Sequence, residues 1–197
     1  MTLTEFRARA RQDLQDEDAA NYRWTNDQID GEIERVVREF SLSLPLEQQT
    51  DLATTNGSRD IDISSLTKRL KIFSLEFPLD YRPRCLQKFE VYMDTLLMEV
   101  QGNGDNARLR WGKQHTVDAL SSTIPEQYDE VIVLGATGYL ATSASVYTVD
   151  RATIAGRDAT INFLKWGQDR LSRYEQQLRA IRRKKVGVSD LTLEKSI

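Results

Sequence analysis

Ile124–Ala144 reads IPEQYDEVIVLGATGYLATSA, and this stretch decides the fold. Pro125 suits the first turn of a helix, where its missing N–H costs nothing, and Thr123 stands in front of it as the expected N-cap. Acidic residues follow, near the positive end of the helix dipole. Apolar side chains then cover almost the whole circumference, which is typical of a helix buried on all sides. The stretch predicts a buried central helix over residues 125–144.

Gly135 and Gly138 lie inside this predicted helix. Each costs about 1 kcal/mol of helix propensity relative to alanine. A glycine inside a helical pattern indicates either that another backbone approaches closely or that the helix is weak at that point. We favour close packing and keep the weak helix as the alternative.

Two helices are predicted before this stretch, and each begins with a capping box. Thr2 with Glu5 opens a helix over residues 3–15, and Thr25 with Gln28 opens a second over residues 26–44. Pro45 brings the second helix to an end. Its apolar residues recur at helical intervals on one face, which predicts a buried stripe: Ile29, Ile33, Val36, Val37, Phe40 and Leu44.

From Leu46 to Val117 the apolar period changes from helical to two. Asn56-Gly57 and Gly102-Asn103-Gly104-Asp105 are turn signals. About five short strands are predicted at Asp60–Ile63, Lys71–Phe77, Phe89–Tyr92, Leu96–Val100 and Arg108–Trp111. The result is an antiparallel β-meander or small sandwich, inserted at about residues 52–117 between helical segments.

A long last helix is predicted over residues 158–185, with Gly187 as its terminator. Its stripe contains Ile161, Leu164, Leu171, Tyr174, Leu178 and Ile181. The fold class is therefore α+β, mainly helical, because the strands run together in the chain and do not alternate with helices. We expect one domain over residues 1–187 and a C-terminal arm over residues 188–197.

Composition excludes several classes of protein. The chain has 197 residues and a formal net charge of −3, which argues against a protein that coats nucleic acid nonspecifically. One cysteine, Cys85, cannot form an intramolecular disulfide. The first residues, MTLTEFRARARQDL, carry charge where a secretory leader needs an apolar core, and no apolar run approaches the roughly 20 residues of a membrane span. We expect a protein of the cytosol, or of something assembled there, without a membrane partner.

No group of residues predicts catalysis or metal binding. His115 is the only histidine, and a structural zinc site needs about four ligands, so a structural or surface role is favoured. Cys85 has no imidazole partner except His115 and is interpreted as a filler or surface residue. Gly102-Asn103-Gly104-Asp105 lies between strands and lacks the lysine and hydroxyl of a phosphate-binding loop, and Gly135-Ala136-Thr137-Gly138 lies within a predicted helix. We therefore expect no enzyme, no cofactor and no metal.

A basic run near the C-terminus contains five cations: Arg179, Arg182, Arg183, Lys184 and Lys185. The net charge of −3 includes these five, so the rest of the chain carries −8. The run either complements the dipole at a helix C-terminus or contacts phosphate or an acidic partner surface. Both interpretations remain open.

The arm that follows reads VSDLTLEKSI. Its apolar residues alternate on a free terminus, which suits strand addition to another chain, although disorder in the isolated protein is an equal alternative. The interface residues predicted for it are Val188, Leu191, Leu193 and Ile197.

Two segments resemble the head–tail connector (adaptor) proteins of tailed bacteriophages and prophages. The first is NYRWTNDQID at Asn21–Asp30, leading into RVVREFS at Arg35–Ser41. The second is KQHTVD at Lys113–Asp118, then SSTIP at Ser121–Pro125, followed by Glu130, Gly135-Ala136 and Tyr139. Together with the order of helices and strands, the resemblance covers most of the chain through Lys185.

The resemblance implies a structural protein of the virion that is assembled in the host cytoplasm. Such proteins form a homo-oligomeric ring, usually a dodecamer, that docks beneath the portal protein and extends the channel for double-stranded DNA. A tail-side stopper or tail protein would bind the other face, and the C-terminal arm would grip the portal or a neighbouring subunit. Two alternatives are a head-completion stopper or tail-terminator protein, and a DNA-binding module that uses the basic run at 179–185.

Overall fold

The structure is a computed structural model that describes the backbone of residues 1–148 and 157–193 and the side chains of residues 1–143 and 163–183. Helix accounts for about 41% and antiparallel strand for about 24%, so the α+β fold class is confirmed. The chain divides into two compact units. The helical unit contains Met1–Leu44 and His115–Ile197, and the inserted unit contains Pro45–Gln114.

Helices α1 (Leu3–Leu14) and α2 (Asn26–Ser43) begin where the capping boxes predict. Each is one residue shorter than expected at its C-terminal end. In α1 the reason is local, because Gln15 adopts a left-handed backbone conformation with φ of 52° and so ends the helix. In α2 the predicted stripe is buried from Ile29 to Phe40, and Leu44 is the C-cap residue.

The central helix α3 runs from Asp129 to Thr148, later than the predicted 125–144. A 3₁₀ turn at Glu126–Tyr128 precedes it, and Pro125 is the N-cap residue of that turn without a side-chain cap. The expected N-cap at Thr123 is wrong. Its hydroxyl accepts a hydrogen bond from the backbone N–H of Thr116 at 2.9 Å and is therefore occupied in the preceding loop.

The last helix, α4, runs from Arg157 to Leu193, so its predicted end at Lys185 is wrong. Gly187 does not terminate it. A single glycine inside a helix costs only about 1 kcal/mol, and the arginines and lysines before it are good helix formers. Alternation of Leu191 and Leu193 predicted an extended arm, but the backbone of 188–193 is helical.

Helix α3 lies at the centre of the helical unit and contacts α1, α2 and α4. Its buried residues cover nearly every direction, as the sequence predicts: Val131, Ile132, Val133, Ala136, Thr137, Leu140 and Ala141. Phe6, Ile33 and Tyr174 from the other helices complete this core.

Close packing at both glycines is confirmed. A Cβ placed at Gly135 would lie 2.9 Å from a methyl carbon of Val36. One at Gly138 would lie 2.9 Å from the side chain of Leu171 and 3.2 Å from its backbone nitrogen. The same close contact is seen from α4, where a Cβ placed at Gly167 would lie 3.2 Å from the carbonyl oxygen of Gly138. The alternative of a weak helix at these glycines is therefore not needed.

Seven strands form two antiparallel sheets in the inserted unit: β1 (Leu46–Ala53), β2 (Asp60–Asp62), β3 (Arg69–Glu76), β4 (Leu86–Gln87), β5 (Phe89–Tyr92), β6 (Thr95–Met98) and β7 (Asn106–Lys113). The four-stranded sheet has the order β1-β7-β3-β4, and the three-stranded sheet has the order β2-β6-β5. One core joins residues of both sheets, among them Ile61, Leu96 and Leu109. Of the two predicted forms, the shared core favours the small sandwich over the meander.

The inserted unit begins earlier than the predicted boundary of about 52, because β1 was not recognised as a strand. Its sequence, LEQQTDLA, is rich in residues that strands disfavour. Pairing with β7 over eight residues, from Leu46 with Lys113 to Ala53 with Asn106, holds it in the sheet. The other strand that the sequence did not predict, β4, has two residues and lies at a sheet edge. An edge position tolerates nearby prolines because fewer backbone N–H groups are needed for pairing.

Candidate interaction surfaces

His115 is buried, with 3% of its surface exposed, in the loop between the inserted unit and α3. Its Nδ1 lies 2.9 Å from the carbonyl oxygen of Thr123, and its Nε2 lies 3.0 Å from that of Leu44. The ring therefore connects the end of α2 to the segment that leads into α3. Among the described residues, no cluster of histidine, cysteine and carboxylate side chains could hold a metal ion.

Cys85 is half-buried and free. The loop at Gly102–Asp105 is held by backbone contacts inside the inserted unit, since the Gly104 N–H donates to the hydroxyl oxygen of Thr54 at 3.2 Å. The Thr54 hydroxyl in turn donates to the Asp105 carbonyl oxygen at 2.7 Å. These contacts give the loop a structural role.

Polar contacts attach α4 to each of the first two helices. Arg170 forms an ion pair with Asp13 on α1. The hydroxyl of buried Tyr174 donates to the carbonyl oxygen of Val36 on α2 at 3.3 Å. These contacts, with the packing at Gly138, hold α4 against the core up to Ile181, which is 8% exposed.

Tyr139 connects α3 to a charged group on α2. Its hydroxyl donates to the carboxylate of Glu39 at 3.0 Å, and the guanidinium of Arg35 lies 3.7 Å from the centre of its ring. Burial, and then the negative charge of Glu39, raise the pKa of Tyr139 above its usual value. The tyrosine therefore stays neutral and remains a hydrogen-bond donor across the physiological pH range.

The arginines of the basic run lie on the exposed side of the last turns of α4 whose side chains are described. The side chain of Arg179 is 71% exposed and pairs with Glu175 one turn earlier. Arg182 and Arg183 are also exposed, and Arg182 makes one contact, 3.3 Å to the hydroxyl of Ser43. Arg179 and Arg183 are four residues apart, so they lie on the same side of the helix. Both are available to a partner with negative charge.

The remaining predicted interface residues lie outside the described side chains. These are Lys184 and Lys185 of the basic run and Val188, Leu191, Leu193 and Ile197 of the arm. Their interface roles stay predictions.

A second surface was missed from the sequence. In the three-stranded sheet, Leu97 lies between buried Leu96 and Met98, so it points away from the core and is 42% exposed. Its cross-strand neighbours are Asp60 on β2 and Glu90 on β5, both exposed. We name the outward side of this sheet the outer sheet face: Asp60, Asp62, Glu90, Tyr92, Thr95 and Leu97.

The outer sheet face combines apolar and acidic side chains. Tyr92 is 76% exposed at the end of β5, opposite Thr95, and Met93 in the adjoining turn is equally exposed. Strands β2, β5 and β6 contain no lysine or arginine. The signal was present in the sequence, because two adjacent leucines in a strand cannot both face the core.

No protein-family model matches this chain, and a search of curated proteins finds no similar sequence. Within the described residues, no helix is both long and apolar enough to cross a membrane.

Proposed function

We propose that this protein is a structural head–tail adaptor: copies of it form a ring that docks under a phage portal, extends the DNA channel and joins the capsid to the tail. The observation that carries the proposal is the resemblance of Asn21–Ser41 and Lys113–Tyr139 to such adaptors. Except for Lys113 and Gln114 at the end of the inserted unit, both segments lie in the helical unit, where they form most of α2, the loop around His115 and the first part of α3.

The arrangement of elements supports this proposal. A structural ring subunit needs a rigid core and accessible surfaces for several neighbours. The helical unit supplies a core around α3, and two exposed charged surfaces, on α4 and on the outer sheet face, are available for contacts. In this proposal the chain forms a ring with further copies of itself, and the resemblance implies a dodecamer. The other partners are the portal protein, a tail-side stopper or tail protein, and double-stranded DNA in the channel.

The proposed role of the arm can be tested by deletion. Removing residues 188–197 takes away Val188, Leu191, Leu193 and Ile197 and leaves the core up to Ile181 intact. We expect the truncated protein to keep its thermal transition but to lose binding to the cognate portal in a co-sedimentation assay. The matched control, Glu194→Ser with Lys195→Ser, changes two charges in the same arm and should bind normally. Normal binding by the truncated protein would refute the role of the arm.

The whole proposal is tested by electron microscopy of the protein mixed with its portal. A ring coaxial with the portal supports the adaptor function. A ring that binds only the far side of an existing connector, or only the tail end, would favour the stopper or tail-terminator alternative.

The second candidate function is a DNA-binding module. The exposed guanidinium groups of Arg179, Arg182 and Arg183 favour it, because arginine clusters bind phosphate. Neutralisation of phosphates releases counterions, so such binding weakens steeply as salt rises. A salt titration therefore separates the two functions.

A further inference from the structure

We propose that the outer sheet face of one copy binds the basic turns of α4 of a second copy, and that this head-to-tail contact builds the ring. This inference rests on the proposed adaptor function and specifies which surfaces form its subunit contact.

The first step concerns the outer sheet face. Leu97 on the middle strand lies between Asp60 and Glu90 on the two outer strands, and Tyr92 on β5 is its diagonal apolar neighbour. Large exposed apolar side chains with a polar rim are typical of protein interaction sites. Among the described residues, seven of the ten large hydrophobic side chains with high exposure belong to the inserted unit, namely Tyr81, Leu86, Val91, Tyr92, Met93, Leu97 and Val100.

The second step concerns the charge of this face. Asp60, Asp62 and Glu90 contribute three carboxylates, and the backbone N–H of Ser64 lowers the pKa of Asp62, so its charge persists well below neutral pH. The nearby cation Arg69 is already engaged by the carbonyl oxygens of Ile63 and Met93. A partner for this face therefore needs positive charge together with apolar surface.

The third step identifies the occupant. The chain itself carries three exposed arginines within two turns of α4, at Arg179, Arg182 and Arg183. Arginine stems cover apolar surface while their guanidinium groups bind carboxylates, which matches a row in which Leu97 lies between Asp60 and Glu90. Because the two surfaces are different patches of one chain, their contact is heterologous, and a heterologous contact closes into a ring when its rotation allows.

Charge reversal tests the contact. The face variant is Asp60→Lys with Glu90→Lys, and the helix variant is Arg179→Glu with Arg183→Glu. Asp62 is left unchanged because it accepts from the backbone N–H of Ser64, and Arg182 because it contacts Ser43 on α2. The ion pair of Arg179 with Glu175 is exposed and lies within one helix, so its loss should change stability little. Sedimentation equilibrium should show that each variant alone associates at least about tenfold more weakly than the original protein, because the two surfaces now repel each other. Circular dichroism and thermal unfolding establish that both variants fold.

Mixing the two variants gives the decisive measurement. The basic face of the first variant then meets the acidic helix of the second, and the acidic face of the second meets the basic helix of the first. An equimolar mixture should regain association, with the two variants alternating. A matched control, Glu17→Lys with Glu34→Lys, makes the same change in net charge as the face variant at exposed positions that belong to neither surface, and it should associate normally.

Each outcome decides between the two proposals. If the original protein forms rings and the variants form them equally well, this contact is wrong and the adaptor function stands. If the helix variant keeps its association but loses binding to duplex DNA, the occupant of the basic turns is nucleic acid and the contact is overturned. If the original protein stays monomeric up to millimolar concentration, alone and with portal, both proposals fail.

Discussion

Single residues in α3 show how tightly the helical core is packed. At Gly138 the backbone of α4 is so close that a methyl group has no room, whereas Gly31 on α2 has nothing within 4 Å of its Cβ position. We expect Gly138→Ala to lower the free energy of unfolding by about 1–3 kcal/mol through overpacking. Gly31→Ala, the matched control, should raise it by about 0.5–1 kcal/mol through helix propensity. Urea denaturation measures both, and a stabilising Gly138→Ala would contradict the close approach.

Tyr139 gives a prediction about pH. Burial and the charge of Glu39 raise the pKa of Tyr139 in the folded protein, while its pKa in the unfolded protein is about 10. Above that pH the unfolded state loses its proton first, so the stability contributed by this residue is complete below about pH 10 and is lost as pH rises through the folded pKa. We expect Tyr139→Phe to reduce the loss of stability between about pH 9 and 11.

The control for this experiment is Tyr81→Phe, since Tyr81 is 60% exposed. Urea midpoints are measured at each pH for the original protein and both variants. The control should keep the original pH dependence. An unchanged pH dependence in Tyr139→Phe would show that the folded protein does not raise the pKa of Tyr139.

At the scale of elements, the helical and inserted units each have a core of their own. The core of the helical unit lies around α3, and that of the inserted unit lies between its two sheets. The insertion interrupts the helical unit between Leu44 and His115. These two residues lie close together, since Nε2 of His115 is 3.0 Å from the carbonyl oxygen of Leu44. A linker of about four residues therefore spans the interruption.

We predict that replacing residues 45–114 with a four-residue glycine-serine linker leaves a helical unit that unfolds cooperatively. Near-ultraviolet circular dichroism should retain the signal of buried Trp24. The matched test is the isolated segment 45–114, which should show strand signals and retain the signal of Trp111, because that residue is 5% exposed in the second core. Loss of cooperative unfolding in the helical unit would show that its core depends on the insertion.

For the whole molecule, charge distinguishes the structural function from DNA binding. The formal net charge is −3 although the end of α4 is basic, so the field around the protein opposes duplex DNA at long range. We predict that affinity for duplex DNA changes little with salt. A protein with 6–10 phosphate contacts loses about 10³–10⁵ in affinity between 50 and 200 mM salt.

A fluorescence anisotropy titration against salt measures this dependence. Arg179→Glu with Arg183→Glu serves as the comparison, since both residues are exposed on the same side of α4. A steep slope that this variant abolishes would favour the DNA-binding module over the adaptor.

Some of the candidate surfaces could be read from the sequence and some could not. The basic run was found because its five charges lie within seven consecutive residues, and its three arginines are exposed. The outer sheet face could not be predicted from the sequence, because its residues come from three separate strands. Only the strand register places Asp60, Leu97 and Glu90 in one row. The arm residues lie outside the described side chains, so their role remains a prediction.

The sequence by itself determined the start of α1 and α2, the buried character of α3 and the α+β class, and it left two alternatives at the glycines of α3. Capping boxes, apolar periodicity and glycine spacing act over a few residues, so they can be read locally. Only the tertiary structure decided that LEQQTDLA forms β1 and that seven strands divide into two sheets. It also decided that the Thr123 hydroxyl binds a loop amide and does not cap a helix. These outcomes depend on partners far away in the chain, such as Lys113 for Leu46, and strand pairing at that distance outweighs local propensity.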